Sequence, residues 1–372
     1  MIGMAKPFVG QEEIDAVVNV MKSGMLASGA VVTEFEQAFS DYIGTAAGVA
    51  SCNGTTALHI ALSALDIGEG DKVLTTPFTF IASSNSILFN RATPVFIDID
   101  EDTYLMDPVK LEAYLETHYT PEMKALLVVH LFGLACDMEA IMAIAKRYNL
   151  AVIEDCAQSH GALINGKKAG SFGDAACFSF YPTKNMTTGE GGMTLFNDAS
   201  KADLGRKIAN HGRVDQYRHD VLGFNYRMTN IAAAIGLQQL KRLDGFNDLR
   251  IRNAGIYAEE LSGVAEIQLP FVPEGYKHVF HQFTIALKNI DRTAFQAFLK
   301  EHGIGSAVVY PFSMHDQPVY KDRCEYDSLE VASSKAKVVL SLPVHPGLTE
   351  QEVLTVCERV KEFCVQQKEA RS

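Results

Sequence analysis

The residue best placed to do chemistry is a lysine between an apolar segment and a glycine-rich turn. Lys184 follows residues 175–180 and precedes glycines at 189, 191 and 192. Partial burial at such a position lowers the pKa of a lysine, and the neutral amine is the form that attacks a carbonyl carbon. An isolated lysine is more often a solvated charge, and the turn can equally be a hairpin into the next strand. Lys184 is therefore a candidate nucleophile that needs support from other segments.

A second group of polar residues stands just past an apolar run that predicts a buried strand. Asp155 follows Val152, Ile153 and Glu154, and Gln158 lies three residues further on. Ligands of open parallel sheets bind at the carboxyl ends of the strands. An Asp there can bind a metal, cap a helix or accept a hydrogen bond from a protonated heterocyclic nitrogen, and capping is the most frequent of these roles.

A third segment, residues 51–58, links a predicted strand to a predicted helix. The free backbone N–H groups and the positive end of the helix dipole make such a junction an anion site. Gly54 has no side chain and would let a phosphate approach the backbone. Asn53 or Thr55 can equally be a plain N-cap.

Together these segments supply what pyridoxal phosphate requires. They offer an anchor for its phosphate, a carboxylate that keeps its pyridine nitrogen protonated, and an amine that binds its aldehyde. The protonated ring withdraws electrons from the carbon that bears the amine. The combination predicts a pyridoxal-phosphate enzyme.

The elements that would position these residues follow the pattern of a parallel sheet. Between about residues 47 and 195, short apolar runs alternate with amphipathic stretches, and several runs are apolar throughout, as in a sheet covered on both faces. This predicts the α/β class, with a mostly parallel central sheet flanked by helices. Strands are predicted at residues 46–50, 72–76, 94–99, 125–130, 151–154, 175–180 and 192–196, and helices at 55–65, 82–90, 108–116 and 138–148.

The pattern changes further along the chain. Helices are predicted at residues 228–243 and 250–261 with Gly245 as a stop signal between them. Strands at 280–286 and 305–309 and helices at 292–302 and 349–366 follow. We therefore predict a large cofactor-binding domain over residues 1–245 and a smaller α+β domain over residues 246–372. This prediction leaves open that the N-terminal segment packs on the smaller domain.

Composition excludes several classes of protein. Of the 372 residues, 47% are apolar and 21% charged, which is typical of a fully folded globular chain. The net charge of −12 repels nucleic acid. The seven cysteines are scattered without a C-x-x-C pair, which indicates reduced thiols in the cytoplasm. No secretory signal and no run of about 18 apolar residues is present, so no membrane partner is expected.

The ordered set of motifs resembles the DegT/DnrJ/StrS family of sugar aminotransferases, which are fold type I pyridoxal-phosphate enzymes of the aspartate aminotransferase superfamily. The resemblance extends over nearly the full chain. It rests on residues 24–36, 53–55, 79–80, 154–158, the Lys184 motif, 223–228, 315–318 and 342–346.

The resemblance implies roles for individual residues. Lys184 would hold the cofactor covalently and shuttle the proton, and Asp155 would pair with the pyridine nitrogen. Gln158 would bond to the ring hydroxyl and Phe80 would stack on the ring. Asn225 matches a residue that the neighbouring subunit supplies, which implies a homodimer with shared active sites. The residues that match phosphate contacts are Gly54, Thr55 and Ser179.

The resemblance also implies a reaction. Family members with histidine in place of this lysine carry out dehydration, so Lys184 favours transamination. Glutamate would donate the amino group and convert the cofactor to pyridoxamine phosphate. A UDP-, dTDP- or GDP-linked 3-keto or 4-keto 6-deoxyhexose would then accept the amino group to give an amino sugar for surface polysaccharide, glycan or antibiotic synthesis. The nucleotide, ring position, stereochemistry and pathway stay open.

Several alternatives remain beside this interpretation. A dehydratase-type sugar enzyme and a non-catalytic regulatory homologue share the fold. A Rossmann oxidoreductase is another alternative, but no G-x-G-x-x-G motif follows an early strand in this sequence, which argues against it. A metal hydrolase could use Glu154, Asp155 and His160, but no histidine pair at helical ligand spacing supports one, and we predict no metal.

Other basic residues are weaker candidates for substrate contacts. Arg227 lies in the family motif and could bind an acidic group or form an interface ion pair. His315 and His345 lie in motifs that resemble substrate-side loops, with packing as the alternative. Three further residues precede Asn225 and could meet a diphosphate or belong to a solvated loop, namely Arg213, Arg218 and His219.

Overall fold

The computed structural model describes residues 1–369. Its strands, in chain order, are β1 (Ala47–Ser51), β2 (Lys72–Thr75), β3 (Thr93–Phe96), β4 (Met123–Val129), β5 (Ala151–Asp155), β6 (Leu163–Ile164), β7 (Lys167–Lys168), β8 (Ala175–Ser179), β9 (Gly192–Phe196), β10 (Ile267–Gln268), β11 (Tyr276–Lys277), β12 (Phe283–Leu287) and β13 (Val339–Leu342). Its helices are α1 (Gln11–Ser23), α2 (Ala30–Ile43), α3 (Gly54–Ala64), α4 (Ile81–Phe89), α5 (Pro108–His118), α6 (Met138–Tyr148), α7 (Ala199–Ala209), α8 (Asn230–Leu261), α9 (Arg292–Glu301), α10 (Glu330–Val338) and α11 (Glu350–Glu369). Two short 3-10 helices span Met314–Asp316 and Pro318–Tyr320.

Seven strands form one sheet in the order β1-β9-β8-β5-β4-β2-β3. Strand β9 runs antiparallel to both of its neighbours, and the other pairs are parallel. Strand β4 is buried along its length except at Lys124, as expected for a strand with helices on both faces. The predicted α/β class with a mostly parallel sheet is confirmed.

Local capping explains why several helices begin where the sequence predicts. Asp107 accepts the backbone N–H of Val109 at 2.8 Å at the start of α5, and proline occupies the first turn. Asp137 accepts from Ala140 at the start of α6, which ends at Asn149 in the left-handed conformation. These signals depend on residues within one turn of each other, so they can be read from sequence.

Two predictions of secondary structure are wrong. The helices at 228–243 and 250–261 are one helix, α8, which passes through Gly245. Leu243 and Phe246 are buried on either side of that glycine, and this packing outweighs the roughly 1 kcal/mol that a glycine costs inside a helix. Residues 305–309 form no named strand in the described chain; Ala307 makes an isolated bridge to Ser341.

A second core lies beyond the large sheet. The antiparallel strands β10, β12 and β13 pack with α9, α11 and the second half of α8. Tyr257, Phe283 and Phe295 lie at its centre. Ile2 of the N-terminal segment donates its N–H to the carbonyl of Gly303 at 2.8 Å and so joins this core.

The segment around α10 returns to the large sheet. The ring of Tyr320 packs edge-on against Phe96 with 5.8 Å between centroids. The carboxylate of Asp98 accepts the N–H groups of Val331 and Ala332 at the start of α10.

The domain division at residue 245 falls inside α8 and remains a prediction, and residues 370–372 of the predicted second domain lie outside the described chain. Within residues 1–369, no helix has the length and apolar character needed to cross a bilayer.

Candidate active site

A cavity of about 380 Å³ lies where strands β4, β5 and β8 end. Its walls come from segments that are far apart in the sequence, because the carboxyl ends of parallel strands meet at one edge of the sheet. Seven of the predicted cofactor residues line it together: Gly54, Thr55, Phe80, Asp155, Gln158, Ser179 and Lys184.

Lys184 lies on a loop that α8 holds in place. The side chain of the next residue, Asn185, donates to Asn247 of α8 at 2.7 Å and to the carbonyl of Val279. Burial lowers the pKa of the Lys184 amine to about 8, while the negative charge of Asp155 raises it. Within residues 1–369, Lys184 makes no ion pair at 4.0 Å or less. The cavity therefore contains an amine that is partly neutral near physiological pH.

Asp155 is the last residue of β5 and is buried, with 5% of its surface exposed. Its Oδ2 accepts a hydrogen bond from the Ser83 hydroxyl at 2.7 Å, and its Oδ1 accepts the N–H of Ala157 at 3.1 Å. Burial raises the pKa of Asp155, whereas the two hydrogen bonds and the charge of Lys184 lower it. The site thus holds a carboxylate in an environment of low polarity.

The junction between β1 and α3 forms another wall of the cavity. Asn53 caps α3, since its Oδ1 accepts the N–H of Thr56 at 2.9 Å, so Asn53 takes the capping role that the sequence left open. The N–H groups of Gly54 and Thr55 have no acceptor among residues 1–369. A Cβ on Gly54 would lie 2.7 Å from the Cβ of Ser179, so glycine is needed for β8 to approach this helix end.

Tyr310 is a wall residue that sequence reasoning missed. Its hydroxyl accepts a hydrogen bond from Nε2 of Gln158 at 3.0 Å, while Oε1 of Gln158 accepts the N–H of Phe132. The ring of Phe80 lies 6.1 Å from that of Tyr310. No local motif identifies Tyr310, because it reaches the cavity from a loop about 150 residues after Gln158.

Two buried histidines lie close to Lys184. Burial lowers the pKa of His160 to about 3, and the charge of Lys184 acts in the same direction. Burial and Lys184 lower the pKa of His281 as well. The ring of His160 packs against Phe178 and Phe180. Both histidines are therefore neutral at physiological pH and leave Asp155 as the counter-charge to the amine.

Glu154, which a metal hydrolase could use as a ligand, makes other contacts in this structure. Glu154 accepts the N–H groups of Gly170, Phe172 and Gly173 and lies 2.9 Å from Nε2 of His130. His130, Glu154 and Cys156 come within 4.8 Å of one another, but these hydrogen bonds occupy both carboxylate oxygens. The cluster fixes the loop before β8, and these contacts engage Glu154, one of the three residues that the metal-hydrolase alternative requires.

The remaining predicted residues lie outside this cavity. Asn225 is exposed on the segment after α7. Arg218 is exposed as well, and its N–H is held by Asp215. His315 contacts Ser333 at 3.2 Å and His345 is buried in the second core region. A separate open depression of about 520 Å³ is lined in part by Arg213, His219 and Arg227.

Comparison with known proteins places the chain among aminotransferases. The model of the DegT/DnrJ/EryC1/StrS aminotransferase family matches residues 7–361. The UDP-N-acetyl-3-dehydro-alpha-D-glucosamine 3-aminotransferase of Acidithiobacillus ferrooxidans is 45% identical over 319 residues, 86% of this chain and 84% of that protein. The GDP-perosamine synthase of Caulobacter vibrioides is 42% identical over 359 residues, 95% of each chain. A Streptococcus pneumoniae protein solved in its PLP form has a TM-score of 0.91 at 26% identity, covering 98% of this chain and 99% of that one.

Proposed function

The chain belongs to the DegT/DnrJ/EryC1/StrS aminotransferase family, a family of pyridoxal-phosphate enzymes, and we propose that it moves an amino group from L-glutamate to a nucleotide-linked keto-sugar. The relatives named above act on UDP- and GDP-linked sugars, which supports this substrate class. The observation that carries the proposal is that Lys184 and Asp155 both line one cavity, in which the pKa of the amine is about 8.

The cavity has the groups that pyridoxal phosphate needs. The N–H groups of Gly54 and Thr55, which lack acceptors among residues 1–369, would hold the phosphate together with Ser179. Asp155 would hold the protonated ring nitrogen, and Lys184 would bind the aldehyde carbon. When bound, the cofactor supplies an electron-withdrawing ring that stabilises negative charge on the carbon bearing the amine.

The chain's own residues would supply proton transfer and orientation. The Nζ of Lys184 can take up a proton and return it, because its pKa of about 8 lies close to neutral pH. Asp155 stays oriented through its bonds to Ser83 and Ala157. Phe80 and Tyr310 wall the cavity, and they would limit the access of water to the reacting atoms.

We propose further that the protein is a homodimer with shared active sites. The open depression around Arg213, His219 and Arg227 holds several cationic or titratable groups, which suits a diphosphate. On the same segment, Tyr217 and Leu222 are each 84% exposed, a pattern typical of surfaces that become covered on association. In this arrangement Asn225 completes the partner's cavity.

A cytoplasmic location is part of the same proposal. All seven cysteines are free, and five of them lie buried in the large or small core. Reduced thiols are expected where glutathione and thioredoxin maintain a reducing environment.

The function is tested by spectroscopy and by a substrate panel. The purified protein reconstituted with pyridoxal phosphate should be yellow, and L-glutamate should shift its visible band. A panel of UDP-, dTDP- and GDP-linked 3-keto and 4-keto sugars, assayed for amino-sugar product by mass spectrometry, then identifies the nucleotide and ring position.

Lys184→Ala should abolish both the visible band and turnover, whereas Lys321→Ala, at an exposed lysine far along the chain, should change neither. A protein that stays colourless after reconstitution, or a band that survives Lys184→Ala, contradicts the proposal. If glutamate shifts the visible band but no member of the panel is turned over, the protein is still an aminotransferase, and the proposed class of sugar substrates is wrong.

A further inference from the structure

A short chain of hydroxyl groups leads from the cavity wall to the buried carboxylate. The Thr79 and Ser83 hydroxyl oxygens lie 2.8 Å apart, and the Ser83 hydroxyl lies 2.7 Å from Oδ2 of Asp155. Thr79 and Ser83 are each 1% exposed, so bulk water does not compete for these bonds. Ser83 is the third residue of α4, and Asp155 therefore lies beside the N-terminal turn of that helix.

The count of hydrogens fixes the direction of this chain. A carboxylate is an acceptor, so the single hydroxyl hydrogen of Ser83 points at Asp155. The Ser83 oxygen can then only accept from Thr79, whose own hydrogen points at Ser83. Each bond orients the next, and a charged acceptor makes the last bond the strongest.

We propose that Ser83, oriented by Thr79, is a positioning residue that keeps Asp155 ionised and fixed for the ring nitrogen of the cofactor. The inference rests on the proposed role of Asp155 and adds two residues to it. Neither hydroxyl needs to touch the reacting atoms, since both act through Asp155.

The charges around Asp155 support this role. Burial raises the pKa of Asp155, and the hydrogen bond from Ser83 is the largest influence that lowers it, followed by the Ala157 N–H and the charge of Lys184. Nδ1 of His130 accepts the N–H of Cys136 at 3.0 Å and Nε2 lies 2.9 Å from Glu154, and the charge of this ring is a further influence that lowers the pKa of Asp155. Burial raises the pKa of the two other groups that face Asp155, Cys177 and Tyr310, so both stay neutral.

The matched control lies on the same helix. The Ser86 hydroxyl is buried, like that of Ser83, but donates to the backbone carbonyl of Ser83 at 2.8 Å. Ser86→Ala therefore removes a buried hydroxyl from α4 without touching Asp155. A loss of cofactor affinity that Ser83→Ala and Ser86→Ala share is therefore due to a change in the helix and not to a change at the carboxylate.

The experiment compares two probes on the apoenzyme. One probe is pyridoxal phosphate, and the other is 1-deaza-pyridoxal phosphate, in which carbon replaces the ring nitrogen while the phosphate and aldehyde remain. We expect Ser83→Ala to raise the Kd of pyridoxal phosphate about tenfold and Thr79→Val to raise it about threefold, with the analogue's Kd unchanged. Ser86→Ala should change neither Kd.

Equal losses for both probes in Ser83→Ala, or no loss for either, would overturn the inference. Thr79→Val keeps the test decisive if Ser83→Ala does not fold, because a selective loss for pyridoxal phosphate is expected there too. Asp155→Asn separates the two proposals. If it fails to discriminate between the probes, the role of Asp155 itself is wrong; if it discriminates and Ser83→Ala does not, only the role of Ser83 is wrong.

Discussion

At the scale of single residues, the environment of Lys184 has a consequence for pH. An ordinary lysine has a pKa of 10.5, and burial lowers that of Lys184 to about 8. Only the neutral amine attacks an aldehyde, so the fraction of reactive apoenzyme rises with pH through the pKa. We expect the rate at which apoenzyme captures pyridoxal phosphate covalently to rise with pH and level off above a midpoint of about 8, as followed by stopped-flow absorbance.

The charge of Asp155 gives this prediction an internal control. Asp155 raises the pKa of Lys184, so Asp155→Asn should move the midpoint to lower pH. A midpoint that stays near 10.5 would mean that the amine titrates in a solvated environment, and a midpoint that moves upward in Asp155→Asn would mean that the charge of Asp155 does not raise the pKa of the amine.

Residue order reveals only those site residues that stand in local motifs. Lys184, Asp155 and Gly54 were predicted because each lies at a recognisable junction between a strand and a turn or helix. Tyr310 and Ser83 carry no such signal, because their partners Gln158 and Asp155 are 152 and 72 residues away. The sequence could therefore predict the candidate catalytic groups but not the residues that hold them in place.

At the scale of elements, two glycines of α8 test why that helix is continuous. A Cβ at Gly245 would meet nothing within 4 Å, whereas a Cβ at Gly236 would lie 2.6 Å from the ring of Phe35. Gly245→Ala should stabilise the protein by about 1 kcal/mol, because alanine loses less entropy in a helix. Gly236→Ala should destabilise it by about 1 to 3 kcal/mol through overpacking.

The measurement is urea denaturation followed by circular dichroism. The two variants are matched in chemistry and in helix, so the opposite signs isolate packing from propensity. If both substitutions stabilise, α2 does not pack closely on α8; if both destabilise, the helix needs glycine at 245 and is interrupted there as the sequence first predicted.

The contrast between local signals and long-range packing explains which helices can be predicted from the sequence. Helix α6 coincides with its predicted residues 138–148 because a capping Asp and a left-handed Asn mark its ends. Helix α8 was split in two because Gly245 is a local stop signal, while the buried residues that keep it helical contact distant parts of the chain. Four helices, α1, α2, α7 and α10, were not predicted at all.

At the scale of the whole molecule, α8 joins the two cores behind the cavity. Its first half packs on the large core, its second half on the small one, and between them Asn247 holds the loop of Lys184. The segment around α10 returns to the large sheet through Asp98. No sequence pattern indicated this return, because its contacts join residues more than 230 positions apart.

The proposed dimer makes a prediction about sites built from two chains. Asn225 is exposed and outside the cavity of its own chain, so Asn225→Ala should lower activity only through the partner's site. A dimer of one Lys184→Ala chain and one Asn225→Ala chain has one site with both defects and one intact site. Random mixing of the two variants gives such dimers as half of the population.

Mixing the two variants after mild unfolding should therefore restore about one quarter of the wild-type activity, since half of the dimers carry one intact site out of two. Each variant treated alone is the control and should remain defective. Arg292→Ala in place of Asn225→Ala gives a second control, because Arg292 lies at the start of α9, where it donates to the carbonyl of Ala336, away from the exposed segment. Sedimentation of the active species as a monomer, or the absence of recovery in a mixture that exchanges subunits, would show that each chain builds its site alone.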